Sequence, residues 1–581
     1  MKRIKLLFLL ILCIPASAQT QLGADIDGEA ASDRSGYSVS LSSDGNRMAI
    51  GAVNNSGAGT WAGHVRIYEY SAGSWMQLGA DIDGEASGDG SGWSVSLSSS
   101  GDTVAIGARE NDGGGTDAGN VRIYVYSAGS WTQLGSDIDG EAGDWSGWSV
   151  SLSSDGSRVA IGAPRNDSAG TDAGNVRVYE YSAGSWTQLG ADIIGEAAGD
   201  ESGRSVSLSS DGTIVAIAAP YNDGTANNAG HVRIYEYSTG SWTQLGVDID
   251  GDFSLDFSGY SVSLSSDGNR VAIGALAQQS GSPTAAGHVR VYEYSAGSWT
   301  QLGADIVGEA FFDKSGYSVS LSSDGTTVAI GAPYNDGNGA YSGHARIYEY
   351  SAGSWTQLGL DIDGEASDDE SGNAVSMSSD GSRVAIAAAL NDGAGNRAGH
   401  VRVYSICFDT IQQQPQSNTF YTVPGDAYFT VIHSDTTATY QWQENTGTGW
   451  SNLSDQGVYS GTATDSLILT GITASLNGYE YRCLVDACTM DTTNLATLTV
   501  VDNIGIGEVL TDVVVSPNPT SGILNIVLTS LSEYEVFNIN GQRVAQGKTE
   551  GQIDITNLPT GSYQIIITND DGRSTHTIQK I

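Results

Sequence analysis

The strongest constraint on this chain is that it repeats itself. Trp75, Trp131, Trp186, Trp242, Trp299 and Trp355 sit in near-identical Gly-Ser-Trp-x-Gln-Leu-Gly contexts, 55 to 57 residues apart. A segment Ser-Gly-x-(Ser/Ala)-Val-Ser-(Leu/Met)-Ser-Ser begins at Ser35, Ser91, Ser146, Ser202, Ser258, Ser315 and Ser371, which makes seven copies. Seven copies of x-Arg-(Ile/Val)-Tyr follow them, carrying Arg66, Arg122, Arg177, Arg233, Arg290, Arg346 and Arg402. A unit of this length is either a propeller blade or a long helical repeat, and side-chain periodicity separates the two.

In Tyr37-Ser38-Val39-Ser40-Leu41-Ser42 the large residues fall at every second position, the period of a strand. Asp44-Gly45 is a hairpin signal, Arg47-Met48-Ala49-Ile50 returns, His64 to Tyr70 forms a third strand and Trp75 to Leu78 a fourth. Four antiparallel strands in each of seven units predict a seven-bladed β-propeller, in which radial repetition protects the sheet edges. The last unit stops after Val403-Tyr404 without its own Trp-Thr-Gln-Leu-Gly strand, while Thr20-Gln21-Leu22-Gly23 supplies one near the start. The offset predicts that the first strand completes the seventh blade.

Composition limits the partners. The 581 residues carry 67 Asp+Glu against 25 Lys+Arg, a formal charge of −42, which repels nucleic acid and anionic membrane surfaces. Four cysteines cannot staple a chain of this length. Residues 1–18 read as a signal peptide: Lys2, Arg3 and Lys5, an apolar run from Leu6 to Ile14, then Ala16-Ser17-Ala18, with cleavage between Ala18 and Gln19. No later stretch is long and apolar enough for a transmembrane helix.

Ser-Gly-Tyr-Ser-Val, Ile161-Gly162-Ala163-Pro164 and Gly174-Asn175-Val176 resemble the FG-GAP repeat of integrin α-type propellers, over residues 19–406. The Phe of the family's Phe-Gly pair is Ser in every copy here, and the family's calcium loop is shortened to a Ser-Asp-Gly turn. No metal and no cofactor are therefore expected, with weak Ca²⁺ binding in the Asp-x-Asp-Gly-Glu loops left as an alternative. Residues 407–502 carry Trp442 and, two residues apart, Tyr481 and Cys483, the pattern of an immunoglobulin-like sandwich. The first cysteine of that pattern is missing and Tyr428 to Val431 occupies its strand; a local Cys483–Cys488 disulfide is the remaining candidate. After a linker at 503–510, residues 511–581 form a small all-β module with Pro517-Asn518-Pro519, Gly522, Gly541, Gly561, Tyr563 and Lys580. These positions resemble the C-terminal sorting domain of the type IX secretion system of Bacteroidetes. The resemblance implies that the secretion machinery is a partner and that the product is secreted or attached to the outer-membrane surface.

Three repeated constellations could carry chemistry. Asp-x-Asp-Gly-Glu, as in Asp81 to Glu85, reads as a solvated turn in preference to a metal loop. Asp33, Asp89, Asp144, Asp200, Asp256, Asp313 and Asp369 occur once per unit, in register with the seven arginines, and read as structural pairs or loop clamps. His64, His231, His288, His344 and His400 alternate with Asn120 and Asn175, which favours a turn hydrogen-bonder over a ligand or base. No nucleophile elbow or zinc-protease motif occurs, so no catalytic residue is assigned. The asymmetric positions, Arg109, Arg165, Tyr221, Gln278 and Tyr334, fall between the second and third strands on a face expected to be long, variable, acidic and aromatic. The expected function is non-catalytic binding, as an adhesin or recognition propeller for an extracellular glycan or protein. An extracellular polysaccharide-acting enzyme with acidic residues at the propeller mouth is the alternative, and a structural surface-layer role is third.

Overall fold

The computed structural model of the protein describes residues 19–276, 286–406, 411–420, 425–433, 438–486, 490–501, 513–528, 530–569 and 572–581. They are all-β, with a single 3₁₀ turn at Ala474–Leu476, and they fall into two compact units.

Seven sheets of the first unit are each built on four antiparallel strands, in chain order in six of them. In the second sheet these are Ser94–Leu97, Thr103–Ala108, Asn120–Ser127 and Ser130–Gln133. The alternating first strand buries Val95 and Leu97, whereas the second strand is buried along its whole length because its two faces meet different neighbours. Each apolar core lies between two sheets: Ala49, Val65, Ile67 and Ile82 of the first pack on Val95, Leu97, Val104 and Ile106 of the second. No sheet owns a core, so the sheets are stable only as neighbours.

Serine explains the cohesion. The backbone N–H of Ser43 donates to Ser99 O at 2.9 Å, and Ser99, Ser154, Ser210, Ser266 and Ser323 each donate onward to the next copy at 2.8 Å. Ser379 N–H then donates to Ser43 O at 2.8 Å, which closes the circuit. Beside it runs a second circuit in which a serine hydroxyl accepts the N–H of the next first strand, from Ser40 and Leu97 (3.0 Å) round to Ser376 and Leu41 (2.9 Å). The last sheet is composite: Gln19–Gln21 pairs with His400–Ile406, with Thr20 opposite Ser405 and the Leu22 N–H donating to Val403 O at 2.7 Å.

The outer part of each sheet departs from the sequence-based expectation in three ways. Asp-x-Asp-Gly-Glu is not a turn after the fourth strand; after a bulge its Ile-Asp continues that strand, as Ile82–Asp83 pairs with Val65 and His64. The repeated aspartates are buried and pair with asparagine, not arginine. Asp89 Oδ2 accepts from Asn111 Nδ2 at 3.0 Å and from the Ala86 N–H at 2.9 Å, and Asp33, Asp144, Asp200, Asp313 and Asp369 bond Asn55, Asn166, Asn222, Asn335 and Asn391 in the same way. The pair fastens the loop before the first strand to the loop after the second. In the fifth sheet Gln278 stands at the asparagine position and lies outside the described residues, and burial pushes Asp256 up to about 7. Five of the seven arginines instead donate to a backbone carbonyl of the preceding sheet, as Arg122 Nη2 does to Asp83 O at 2.8 Å and Arg66 Nη2 to Asp27 O at 2.8 Å. The histidines, finally, are not in turns: each opens a third strand and is almost wholly buried.

The second unit holds most of the remaining sheets. Between 411 and 500, a sheet containing Thr439–Asn445 and Glu480–Asp486 and another containing Ala427–Thr430 and Ser466–Leu469 carry an aromatic core. Phe429, on the strand expected to lack a cysteine, stands 6.4 Å from Trp442 and 4.9 Å from Tyr481 between ring centres, filling the space with an aromatic side chain. Tyr481 meets the Tyr459 hydroxyl (3.3 Å), so its hydroxyl bonds a side chain and not the backbone upstream that a tyrosine corner uses. Cys483 is buried, which pushes its thiol up to about 12; Cys488 lies outside the described residues. Residues 515–580 form a three-stranded and a four-stranded sheet around Leu524, Val536, Ile565 and Ile578.

Two outcomes follow from the ring. Deleting residues 19–26 removes the fourth strand of the seventh sheet and uncovers its edge, and it should abolish cooperative melting or cause aggregation. An unchanged melting temperature and a monodisperse product would exclude this role. The second outcome concerns pH. Burial holds His231, His288 and His344 at about 4, below the usual histidine value of about 6.5. The folded state therefore binds these protons less readily than the unfolded chain, and the associated stability is complete above about pH 6.5 and lost as the pH falls towards about 4. Thermal melts between pH 7 and 4.5 should show a declining midpoint, and replacing the three with Asn should flatten the decline; an equally steep profile in the variant would disprove the assignment.

Candidate functional site: an aromatic and cationic mouth

The residue following each Ser-Gly pair stands at the entrance of the ring, on the side opposite the serine circuit. Glycine is required beside it: Gly92 has φ +88°, and a Cβ there would lie 2.7 Å from His64 O of the preceding sheet. The seven positions are Tyr37, Trp93, Trp148, Arg204, Tyr260, Tyr317 and Asn373, and all line one cavity of about 310 Å³. They form a nearly continuous collar. Ring centres are 4.5 Å apart for Tyr37 and Trp93, 5.0 Å for Trp93 and Trp148, and 5.0 Å for Tyr260 and Tyr317. The Arg204 guanidinium bridges the middle, 4.7 Å from Trp148 and 5.5 Å from Tyr260. Asn373 returns to the start by donating to Gly36 O at 3.0 Å.

The asymmetric residues singled out by sequence border this collar. Arg109 lies 3.3 Å over Trp93 and within 4.8 Å of Trp145 and Trp148, while Arg165 lies 3.2 Å over Trp145. Tyr221 meets Phe257 edge to face at 5.6 Å, and Tyr334 meets Tyr317 at 6.3 Å with the Lys314 ammonium 4.7 Å away. Gln278 lies outside the described residues. The expectation of an acidic mouth needs correction, because the Asp-x-Asp-Gly-Glu carboxylates sit at the outer strand. Arg34 and Arg204 line the cavity and Arg109 and Arg165 border it on Trp93 and Trp145, with Glu110 and Glu201 paired to Arg109 and Arg204 at 2.7 and 2.6 Å. Burial raises Tyr37 and Tyr317 well above the usual tyrosine range, so both keep their hydroxyl protons as donors. Burial also raises Glu370, against the pull of Arg34 and Arg397. The collar was missed in sequence reasoning, although its signal was present: x is the most variable position of an otherwise constant segment.

The sorting residues assemble from both ends of the tail. Asn518 Nδ2 donates to Thr577 O at 2.8 Å and its Oδ1 accepts the Gln579 N–H at 2.8 Å, while Thr520 N–H donates to Gln579 O at 2.8 Å. Pro517 and Pro519 flank this clamp. Gly522 has φ +147° and a Cβ there would lie 2.8 Å from Thr556 Cα; Gly541 turns the hairpin between Ser532–Asn538 and Arg543–Thr549. Gly561 pairs with Lys580, and Tyr563 donates its hydroxyl proton to Pro559 O at 2.7 Å. Gln19 opens the first described strand, and Ala18 lies outside the described residues.

Residues 514–581 match the secretion system C-terminal sorting domain family, and residues 136–179 match the FG-GAP repeat family. No curated protein matches the chain. Among solved structures, a Bacteroides uniformis protein described as a 6-phosphogluconolactonase is 12% identical, covering 56% of this chain and 85% of its own, with a TM-score of 0.40. The N-terminal Ig1-2 module of the Drosophila receptor protein tyrosine phosphatase DLAR is 15% identical, covering 30% and 97%, with a TM-score of 0.15. At these scores neither likeness bears on activity. Residues 514–581 are thus a secretion system C-terminal sorting domain, which indicates type IX export to the cell surface or the medium, and residues 136–179 carry an FG-GAP repeat, which indicates an extracellular β-propeller.

Proposed function

We propose that the ring is a non-catalytic binding module and that its ligand is an anionic polysaccharide seated on the mouth. The aromatic collar threaded by guanidinium groups carries this reading. Flat aromatic faces suit the apolar faces of sugar rings, and arginine forms paired hydrogen bonds to carboxylate or sulfate. At physiological salt, charges more than about 8 Å from the mouth are largely screened, so the net charge of −42 opposes an anion there only weakly. At contact the four arginines decide.

A polysaccharide-acting enzyme is the second reading, and Glu370 favours it: a carboxyl with a raised proton affinity in the cavity is the form of a general acid. Glycosidases use two such groups about 5–9.5 Å apart, and Glu370 is the one carboxyl among the described residues lining this cavity.

Titration of the full chain with uronate-containing, sulfated and neutral polysaccharides should show binding of the charged classes. Trp93→Ala and Trp148→Ala should each weaken it tenfold or more, about 1.4 kcal/mol, and Glu370→Gln should leave it within twofold. Binding of none of the charged polymers refutes the ligand class, and hydrolysis that Glu370→Gln abolishes establishes the enzyme. Delivery is tested separately. Removing residues 511–581 should leave a folded ring held in the periplasm of a type IX-secreting host, and normal surface display of that variant would overturn the role of the tail.

A further inference from the structure

Farther out from the mouth, four of the seven sheets share an arrangement that ring cohesion does not use. His64, His231, His344 and His400 each place Nδ1 beside two carboxylates: Asp81 and Glu29, Asp248 and Glu196, Asp361 and Glu309, and Asp25 and Glu365. Within each set the three candidate ligand atoms lie within 4.8 Å of one another. The aspartate Oδ2 stands 3.7 Å from His64, 3.9 Å from His231, 3.7 Å from His344 and 3.8 Å from His400. These separations are too long for hydrogen bonds. They suit donors that share one ion, since bonds of about 2.0–2.2 Å put neighbouring donors roughly 3–4 Å apart.

The other atoms of each set are already committed. Gln77, Gln244, Gln357 and Gln21 donate to Oδ1 of the same aspartates at 2.5–2.7 Å, which leaves Oδ2 to face the histidine. Arg66, Arg233, Arg346 and Arg402 lie 3.4–3.8 Å from Oε1 of the glutamates, which leaves Oε2. The histidine side chains are 1–2% exposed, and His344 Nδ1 has no hydrogen-bond partner although it is aimed at Asp361. Burial keeps these imidazoles neutral near pH 7, with the lone pair a metal needs.

The remaining sheets provide an internal comparison. Where Asn175 replaces histidine, its amide and Arg177 Nε both donate to Asp192 Oδ2 at 3.0 Å. Asn120 reaches Glu85 at 3.5 Å. Beside His288, Arg290 holds Asp305 with two bonds of 3.0 Å. In the two asparagine sheets the protein's own donors reach the carboxylates, and beside His288 they hold Asp305 while Nδ1 faces Asp256 Oδ1 at 3.9 Å; in the other four, Nδ1, Oδ2 and Oε2 converge with no protein donor among them.

We propose that these four sets are binding sites for a divalent transition-metal ion of the Zn²⁺ class, each held by histidine Nδ1, aspartate Oδ2 and glutamate Oε2. One imidazole and two carboxylates suit Zn²⁺ better than Ca²⁺, which prefers six to eight oxygens. The glutamate comes from the loop that follows the preceding sheet, so each ion ties two sheets together.

The test uses the full chain, stripped with chelator and titrated with ZnCl₂ at micromolar concentration, with MgCl₂ and CaCl₂ as controls. Four equivalents of Zn²⁺ should bind and raise the melting temperature, with no equal shift from Mg²⁺ or Ca²⁺. His64→Asn, His231→Asn, His344→Asn and His400→Asn each introduce the residue the ring itself carries at 120 and 175, and each should remove one equivalent. His288→Asn should remove none. Fewer than two equivalents bound by the native chain, or single variants that retain all of its equivalents, would overturn the proposal.

Discussion

The ring depends on a circuit of backbone hydrogen bonds with no beginning and no end. Each serine N–H from Ser43 to Ser379 is satisfied only by the next copy, and the last by the first. A missing sheet would leave a half-buried donor and a half-buried acceptor without their protein partners, besides opening two apolar cores. The requirement also fixes the angle between sheets, because donors and acceptors must meet at the same radius seven times. Closure of this kind makes the number of repeats a structural quantity and not a matter of accretion.

Much of this was legible in the sequence because periodicity is a statement about burial. The alternation in Ser-Val-Ser-Leu gave the first strand its faces, and the missing Trp-Thr-Gln-Leu-Gly at the end pointed to the strand at the start. Partners were harder to read. Asp89 and Arg122 are equally constant across the repeats, and constancy alone cannot say that the aspartate chooses Asn111 while the arginine crosses to the neighbouring sheet. The continuation of the outer strand is likewise not legible in the sequence, since two residues such as Ile82–Asp83 are too few to carry a period.

The mouth is marked by variation and not by repetition. The acidic motif is the more abundant feature, but its backbone is bound into the outer strand. The position that varies from Tyr37 to Asn373 inside a constant frame held more information, because the frame has already satisfied the backbone there and the side chain is free to differ. Symmetry holds the scaffold, and departures from it mark where the molecule meets something else. The alternation of histidine with asparagine is such a departure on a smaller scale, and its meaning emerges only when the neighbouring carboxylates are seen in three dimensions.

Pairing Thr20 with Ser405 has a temporal consequence. The contact spans nearly the whole ring, and loop closure over such a distance is among the slowest events available to a β fold. Until residue 406 has emerged, the first strand has no place in its own molecule and the seventh sheet keeps a bare edge. Two chains caught at that stage carry complementary ends, so the step that completes one ring is also the step at which two molecules can exchange strands.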